Sequence, residues 1–200
     1  LALYTQLEAD MEIIIKMSRR IPEKEEFQKF VDYLMAKYPF TKHGKFSVNI
    51  EKTRNKYTKG NCGNIGGYEC KDGRRMSFIT VRLSKNCSLN KALIVIAHEY
   101  CHSLQLDRSE KNYAMMGLSR KEKTVGGNDH ELEADLFSLR VTSEYMNVHP
   151  HELLKESWDS LYRISKPACA QEFSYFTHEY TVFGTAYTLD VGKFYLNHTG

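Results

Sequence analysis

Leu93-Ile94-Val95-Ile96-Ala97-His98-Glu99-Tyr100-Cys101-His102-Ser103-Leu104 is the run on which the reading of this chain turns. An apolar stretch leads directly into an H-E-x-x-H pattern. On a helix, residues four apart lie one turn apart on one face, so His98 and His102 stand side by side. Two imidazoles so placed can grip one Zn²⁺, and Glu99 between them can hold a water beside it. The plain alternative is a surface helix that carries two histidines. Leu93 to Ala97 oppose it, because a helix apolar over more than a turn is buried nearly all round. Burying two histidines and a glutamate is costly unless they are paired or bind a metal.

A catalytic zinc usually takes three protein ligands and keeps one position open for water. The third is sought in Asn128-Asp129-His130-Glu131-Leu132-Glu133-Ala134-Asp135-Leu136-Phe137. Asn128 or Asp129 can cap a helix here. Leu132, Leu136 and Leu139 then recur at helical spacing, with Phe137 and Val141 widening the apolar stripe. Glu131 and Asp135 lie four apart and share a face. Glu131 can be the third ligand. Asp135, one turn on, can accept a hydrogen bond from the free nitrogen of a zinc histidine, with His98 the expected donor. Taken alone, the stretch reads as an acidic helix start favoured by the helix dipole. Its position after H-E-x-x-H reverses that preference. Glu133 and His130 are rival ligands; Glu133 lies about 200° round the helix from Glu131, so both cannot face one metal.

This pairing of an H-E-x-x-H helix with a second helix bearing E-x-x-x-D resembles the gluzincin metallopeptidases. More narrowly, E-x-E-A-D-x-F after the first helix is similar to the ImmA/IrrE-type peptidases. The HtpX and CAAX-protease type carries the same glutamate–aspartate pair, but those are membrane proteins whose spans this chain lacks. The resemblance covers residues 88–147. It implies His98, His102 and Glu131 as ligands of one zinc, Glu99 as the catalytic glutamate, a protein or peptide substrate, and regulatory substrates such as repressors. The expected reaction is peptide-bond hydrolysis; the alternative is a regulatory or nucleic-acid- or protein-binding module on a peptidase-like fold with little or no proteolytic activity. Zinc polarises the carbonyl and lowers the pKa of its water, and Glu99 passes the water proton to the leaving amine. An oxyanion donor is also needed. Tyr113, Tyr175, His178 and Tyr180 are candidates. His178 is carried forward as the catalytic one, although each also reads as a packing or surface residue.

The expected architecture is α+β and zincin-like: N-terminal helices and a small twisted sheet packed on the H-E-x-x-H helix, then a mainly helical C-terminal part. Two hundred residues suit one domain, 1–200. Within it, 1–40 reads as helical, 41–147 as sheet plus zinc helices, and 148–200 as an accessory part. The first helix is expected over 1–18, with Leu3, Leu7, Met11, Ile14 and Ile15 on one side. A second is expected over 22–38, with Phe27, Phe30, Val31 and Leu34 inward and Pro39 closing it. Phe46, Val48 and Ile50 alternate as a strand, another includes Tyr68 and Glu69, and a third runs from Arg75 to Leu83. Ser88 caps the zinc helix. Residues 107–127 read as a connection. His149 and His151 open a helix ending near Ile164, and 167–200 reads as helix, then hairpin.

A composition 42% hydrophobic and 26% charged fits an ordinary globular protein, and without an apolar run of 18 residues no membrane span is expected. The five cysteines, Cys62, Cys70, Cys87, Cys101 and Cys169, are odd in number and lack C-x-x-C spacing. They fit a reducing compartment, so a cytoplasmic location is expected, with a leader already removed left open. Cys101 reads as core rather than ligand. Cys62 and Cys70 flank a glycine-rich stretch and signal a disulfide or structural metal only weakly. Residues 51–91 hold ten Lys or Arg against three acids, which can attract nucleic acid or an acidic peptide. The competing reading, a solvated face balanced elsewhere, is the stronger.

Overall fold

The alternation Phe46-x-Val48-x-Ile50 puts three apolar side chains on one side of a strand, and a sheet face of that kind must be covered. In a computed structural model of the chain that cover is helical. The structure describes residues 12–18, 21–52, 62–69, 71, 74–84, 86–108, 127–157, 177–182 and 185–190. Strands are β1 (Glu12–Met17), β2 (His43–Lys52), β3 (Cys62–Glu69), β4 (Arg75–Leu83), β5 (Thr177–Val182) and β6 (Thr185–Asp190). Helices are α1 (Lys24–Lys37), α2 (Leu89–Arg108), α3 (Gly127–Met146) and α4 (Pro150–Ser157). The first four strands form one sheet in the order β1-β2-β4-β3. β1, β2 and β4 are parallel, and β3 is an antiparallel edge. The chain is thus a mixture of helices and a small, mostly parallel sheet.

Register explains the two faces. Val48 pairs with Ile79 and Ile50 with Val81, and all four are almost fully buried. The intervening residues of β4, Met76, Phe78, Thr80 and Arg82, are half-buried or exposed. One face therefore meets the helices and the other meets solvent, as strict alternation demands.

The N-terminal helix expected over 1–18 does not extend over 12–17. Residues 12–17 are strand β1, and residues 1–11 lie outside the described residues. Ile13-Ile14-Ile15 is a β-branched run, stiff at χ1 and suited to a pleated sheet. Its period-2 set, Ile13, Ile15 and Met17, pairs with Phe46, Val48 and Ile50; Ile15 and Met17 pack on the core, while Ile13 at the strand's start is exposed. Among the described residues of the supposed helical segment 1–40, only α1 is helical, and it buries Phe27, Phe30, Val31, Leu34 and Met35. It joins two parallel neighbours, completing a β-α-β unit.

α2 leans on β4, β3, α1, α3 and α4. Tyr100, at its middle, is fully buried against Phe40 and Phe46 and donates to the carbonyl of Tyr38 at 2.7 Å. α3 is fastened to α1 by Phe30 against Tyr145, by Tyr145 donating to Glu26 at 2.6 Å, and by the Lys37–Glu144 ion pair. α3 stops where Asn147 takes φ 53° and the amide of Val148 reaches back to Ser143 at 3.1 Å. Beyond it, the described residues hold one short helix, α4, and the β5–β6 hairpin. The C-terminal part is therefore not mainly helical there, although the expected hairpin is present.

Candidate metal centre

The centre begins with how α2 starts. Ser88 accepts from the amide of Lys91 at 3.3 Å, satisfying one of the donors that a helix start leaves open. The helix then enters the core apolar side first. Between Ala92 and Asp107 every residue is buried except His98 and His102. The two imidazoles are thus the only part of this stretch that meets the surface. Glu99 between them is 6% exposed.

The rings of His98 and His102 converge. Their Nε2 atoms are 3.0 Å apart, with the ring planes nearly perpendicular at 83°. Two nitrogens on one tetrahedral zinc at 2.0–2.1 Å stand about 3.3 Å apart, so this spacing fits shared coordination. The surroundings of the other nitrogens favour one tautomer. His98 Nδ1 lies 2.9 Å from Asp135 Oδ1, a close contact that is bent rather than straight. An ionised carboxylate only accepts, so the proton belongs on Nδ1. His102 Nδ1 lies 2.7 Å from Gln105 Oε1, another acceptor. Neutral rings so protonated turn two Nε2 lone pairs toward each other. That arrangement is repulsive until something electron-poor lies between them, and a cation does so.

The sequence candidates fall into place unevenly. His98, Glu99 and His102 sit on successive positions of α2, and Asp135, fully buried on α3, meets His98. Glu131 lies in α3 one turn before Asp135, with its side chain outside the described residues. His178 lies in β5, whose backbone passes beside α3, and its side chain is likewise outside them. Tyr180 is in the same strand, whereas Tyr113 and Tyr175 fall outside the described residues. Asn128 and Asp129, expected as caps, lie just inside α3, which starts at Gly127. Among the described residues no cluster of three or more His, Cys, Asp or Glu is gathered around one point. The pair of histidines is present, and the side chain of Glu131, expected as the third ligand, lies outside the described residues. Cys101 is buried, and burial, followed by the nearby Glu133, pushes its thiol well above the ordinary value. That suits packing rather than ligation.

Three residues escaped the sequence reading. Gln105 Oε1 lies 2.7 Å from His102 Nδ1, and Gln105 Nε2 donates to Glu133 at 2.8 Å. Glu133, weighed above as a rival ligand, is thereby engaged with α2 instead. The available signal was H-x-x-Q, since residues three apart are neighbours on a helix. Farther along, Asp107 and Arg75 fix the end of α2. Asp107 accepts from the Thr41 amide at 2.6 Å, the Thr41 hydroxyl at 2.7 Å and the Lys42 amide at 2.8 Å. Arg75 donates to the carbonyls of Leu106 at 2.6 Å and Asp107 at 3.0 Å.

No protein-family model, curated protein sequence or solved structure gives a significant match to the chain. Among the described residues no helix is long and apolar enough to cross a membrane.

Proposed function

We propose that the protein is a zinc-dependent metallopeptidase of zincin-like, gluzincin type, similar to the ImmA/IrrE group. The observation that carries the reading is the convergence of the two Nε2 atoms at 3.0 Å, with an acceptor oxygen beside each Nδ1. The donor set fits zinc: two neutral imidazoles with Glu131 as the proposed third ligand. When bound, zinc supplies Lewis acidity to a carbonyl and lowers the pKa of water.

The chain's own residues supply the rest. Glu99, buried next to His98, is the proposed general base and proton carrier. Asp135 holds His98 in its ligating tautomer. β3 pairs with β4 alone among the described residues and lies beside α2. Its outer edge can take an extended peptide by strand addition. His178 is the proposed oxyanion donor, supported by the passage of β5 along α3.

Elemental analysis after zinc loading and gel filtration tests the reading. One zinc per chain is expected in the wild type, and none in His98→Ala or His102→Ala. Glu99→Gln is expected to keep its zinc and to lose roughly 10²–10⁴-fold of its hydrolysis of a peptide library. A zinc-free wild type sinks the metal site, and full activity in Glu99→Gln sinks the role given to Glu99.

A further inference from the structure

We infer that Gln105 and Glu133 form a positioning relay that fixes the tautomer of His102 and holds its Nε2 lone pair toward His98. The purpose of the relay rests on the zinc reading above. Its mechanics rest on hydrogen-bond direction alone.

A glutamine amide has an accepting end and a donating end, and either can face a histidine. Here Glu133 decides. An ionised carboxylate has no proton to give, so it must face the amide NH₂, and Gln105 Nε2 lies 2.8 Å from Glu133 Oε2. That leaves Oε1 toward His102, 2.7 Å from Nδ1. The oxygen can only accept, so His102 carries its proton on Nδ1 and its lone pair on Nε2. A reversed amide would press an N–H against Nδ1, move the ring proton to Nε2 and aim it at His98. No cation could then lie between the rings. Gln105 is only 7% exposed, so solvent is poorly placed to replace its oxygen. Arg108 Nη1, 3.7 Å from Glu133 Oε1, holds the other side of the same carboxylate. The two rings are thus set by separate devices: His98 by a carboxylate directly, His102 by a carboxylate acting through an amide. The second glutamate of E-x-E-A-D acquires a task distinct from that of Glu131.

Ring ¹⁵N shifts of His102 in the metal-free protein report its tautomer, and competition with a chromophoric chelator reports zinc affinity. In the wild type the proton is expected on Nδ1. Gln105→Leu keeps the bulk and removes the acceptor. It is expected to lose the Nδ1 preference and to bind zinc about 10–100-fold more weakly. Exchanging the groups, Gln105→Glu with Glu133→Gln, keeps an acceptor beside His102 and a donor at position 133. It is expected to restore both readings. Should Gln105→Leu fail to fold, Glu133→Gln, at a half-exposed side chain, lets the amide turn and is expected to give mixed tautomers. An unchanged Nδ1 preference in these single variants overturns the relay, as does an exchange variant no better than Gln105→Leu. A wild type that takes up no zinc while its tautomer follows Gln105 rejects the zinc reading and leaves the relay standing. Normal zinc uptake with a tautomer indifferent to Gln105 does the reverse.

Discussion

A metal-ligating histidine almost always has its other nitrogen beside an acceptor, and Asp135 stands in that place beside His98. Its carboxylate is fully buried and 2.9 Å from Nδ1. Asp135→Asn keeps the shape but removes the charge and frees the amide to present an N–H. Zinc affinity is expected to fall about 10–100-fold, read by chelator competition; unchanged affinity would mean that the ring is oriented by packing alone. Cys101, three residues from His98 in the same helix, behaves oppositely to a ligand. With its thiol held above the ordinary value of 9.0 by burial, little thiolate forms near neutrality. At about pH 8, iodoacetamide should modify half-exposed Cys87 and spare Cys101 until the protein is unfolded. Peptide mass spectrometry separates the two. Asp135 was legible because a four-residue spacing fixes a face. Gln105 was not, since glutamine on a helix is common and only its partner, distant in sequence, gives it direction.

At the scale of elements, α2 is a rod fixed at both ends, by Ser88 at its start and by Asp107 with Arg75 at its finish. Asp107 sits where the helix dipole disfavours a negative charge. Three donors from Thr41 and Lys42, together with the guanidinium of Arg75 on the last carbonyls, outweigh that penalty. Hydrogen bonds to a charged group contribute about 1.5–3 kcal/mol each, non-additively, so Asp107→Ala is expected to lower stability by roughly 3 kcal/mol. Urea unfolding checks this, and a loss under about 1 kcal/mol would show that water replaces the carboxylate. The start of α2, the inward face of α1 and the strands through Phe46 and Ile79 were all legible from periodicity and capping. β1 was not. Leu7, Met11, Ile14 and Ile15 satisfy a helical period, while Ile13, Ile15 and Met17 satisfy a strand period. Short apolar runs carry both. What selects the strand is the parallel pairing with β2, which local sequence does not contain. Arg75 likewise read as the first residue of a strand, and its service to a helix end comes from the tertiary structure.

In the whole molecule, α2 packs on the sheet and against α3, so the proposed centre is built where two helices meet. His98 and His102 come from one, and Asp135, Glu133 and the proposed ligand Glu131 from the other. The unfolded chain keeps the histidines four apart but loses the fixed relation between helices, so zinc should bind the folded state far better. Linkage then gives RT ln(1 + [Zn]/Kd), about 2.7 kcal/mol at free zinc one hundred times Kd. At roughly 2–4 °C per kcal/mol for a chain of this size, Tm should rise by about 5–10 °C. Zinc held by cysteines of the unfolded chain would shrink the rise, so the comparison that matters is with His98→Ala, which keeps all five cysteines. Scanning calorimetry in buffered zinc and in chelator should show the shift in wild type and lose it in the variant. Equal shifts in both would place the bound metal somewhere other than between α2 and α3.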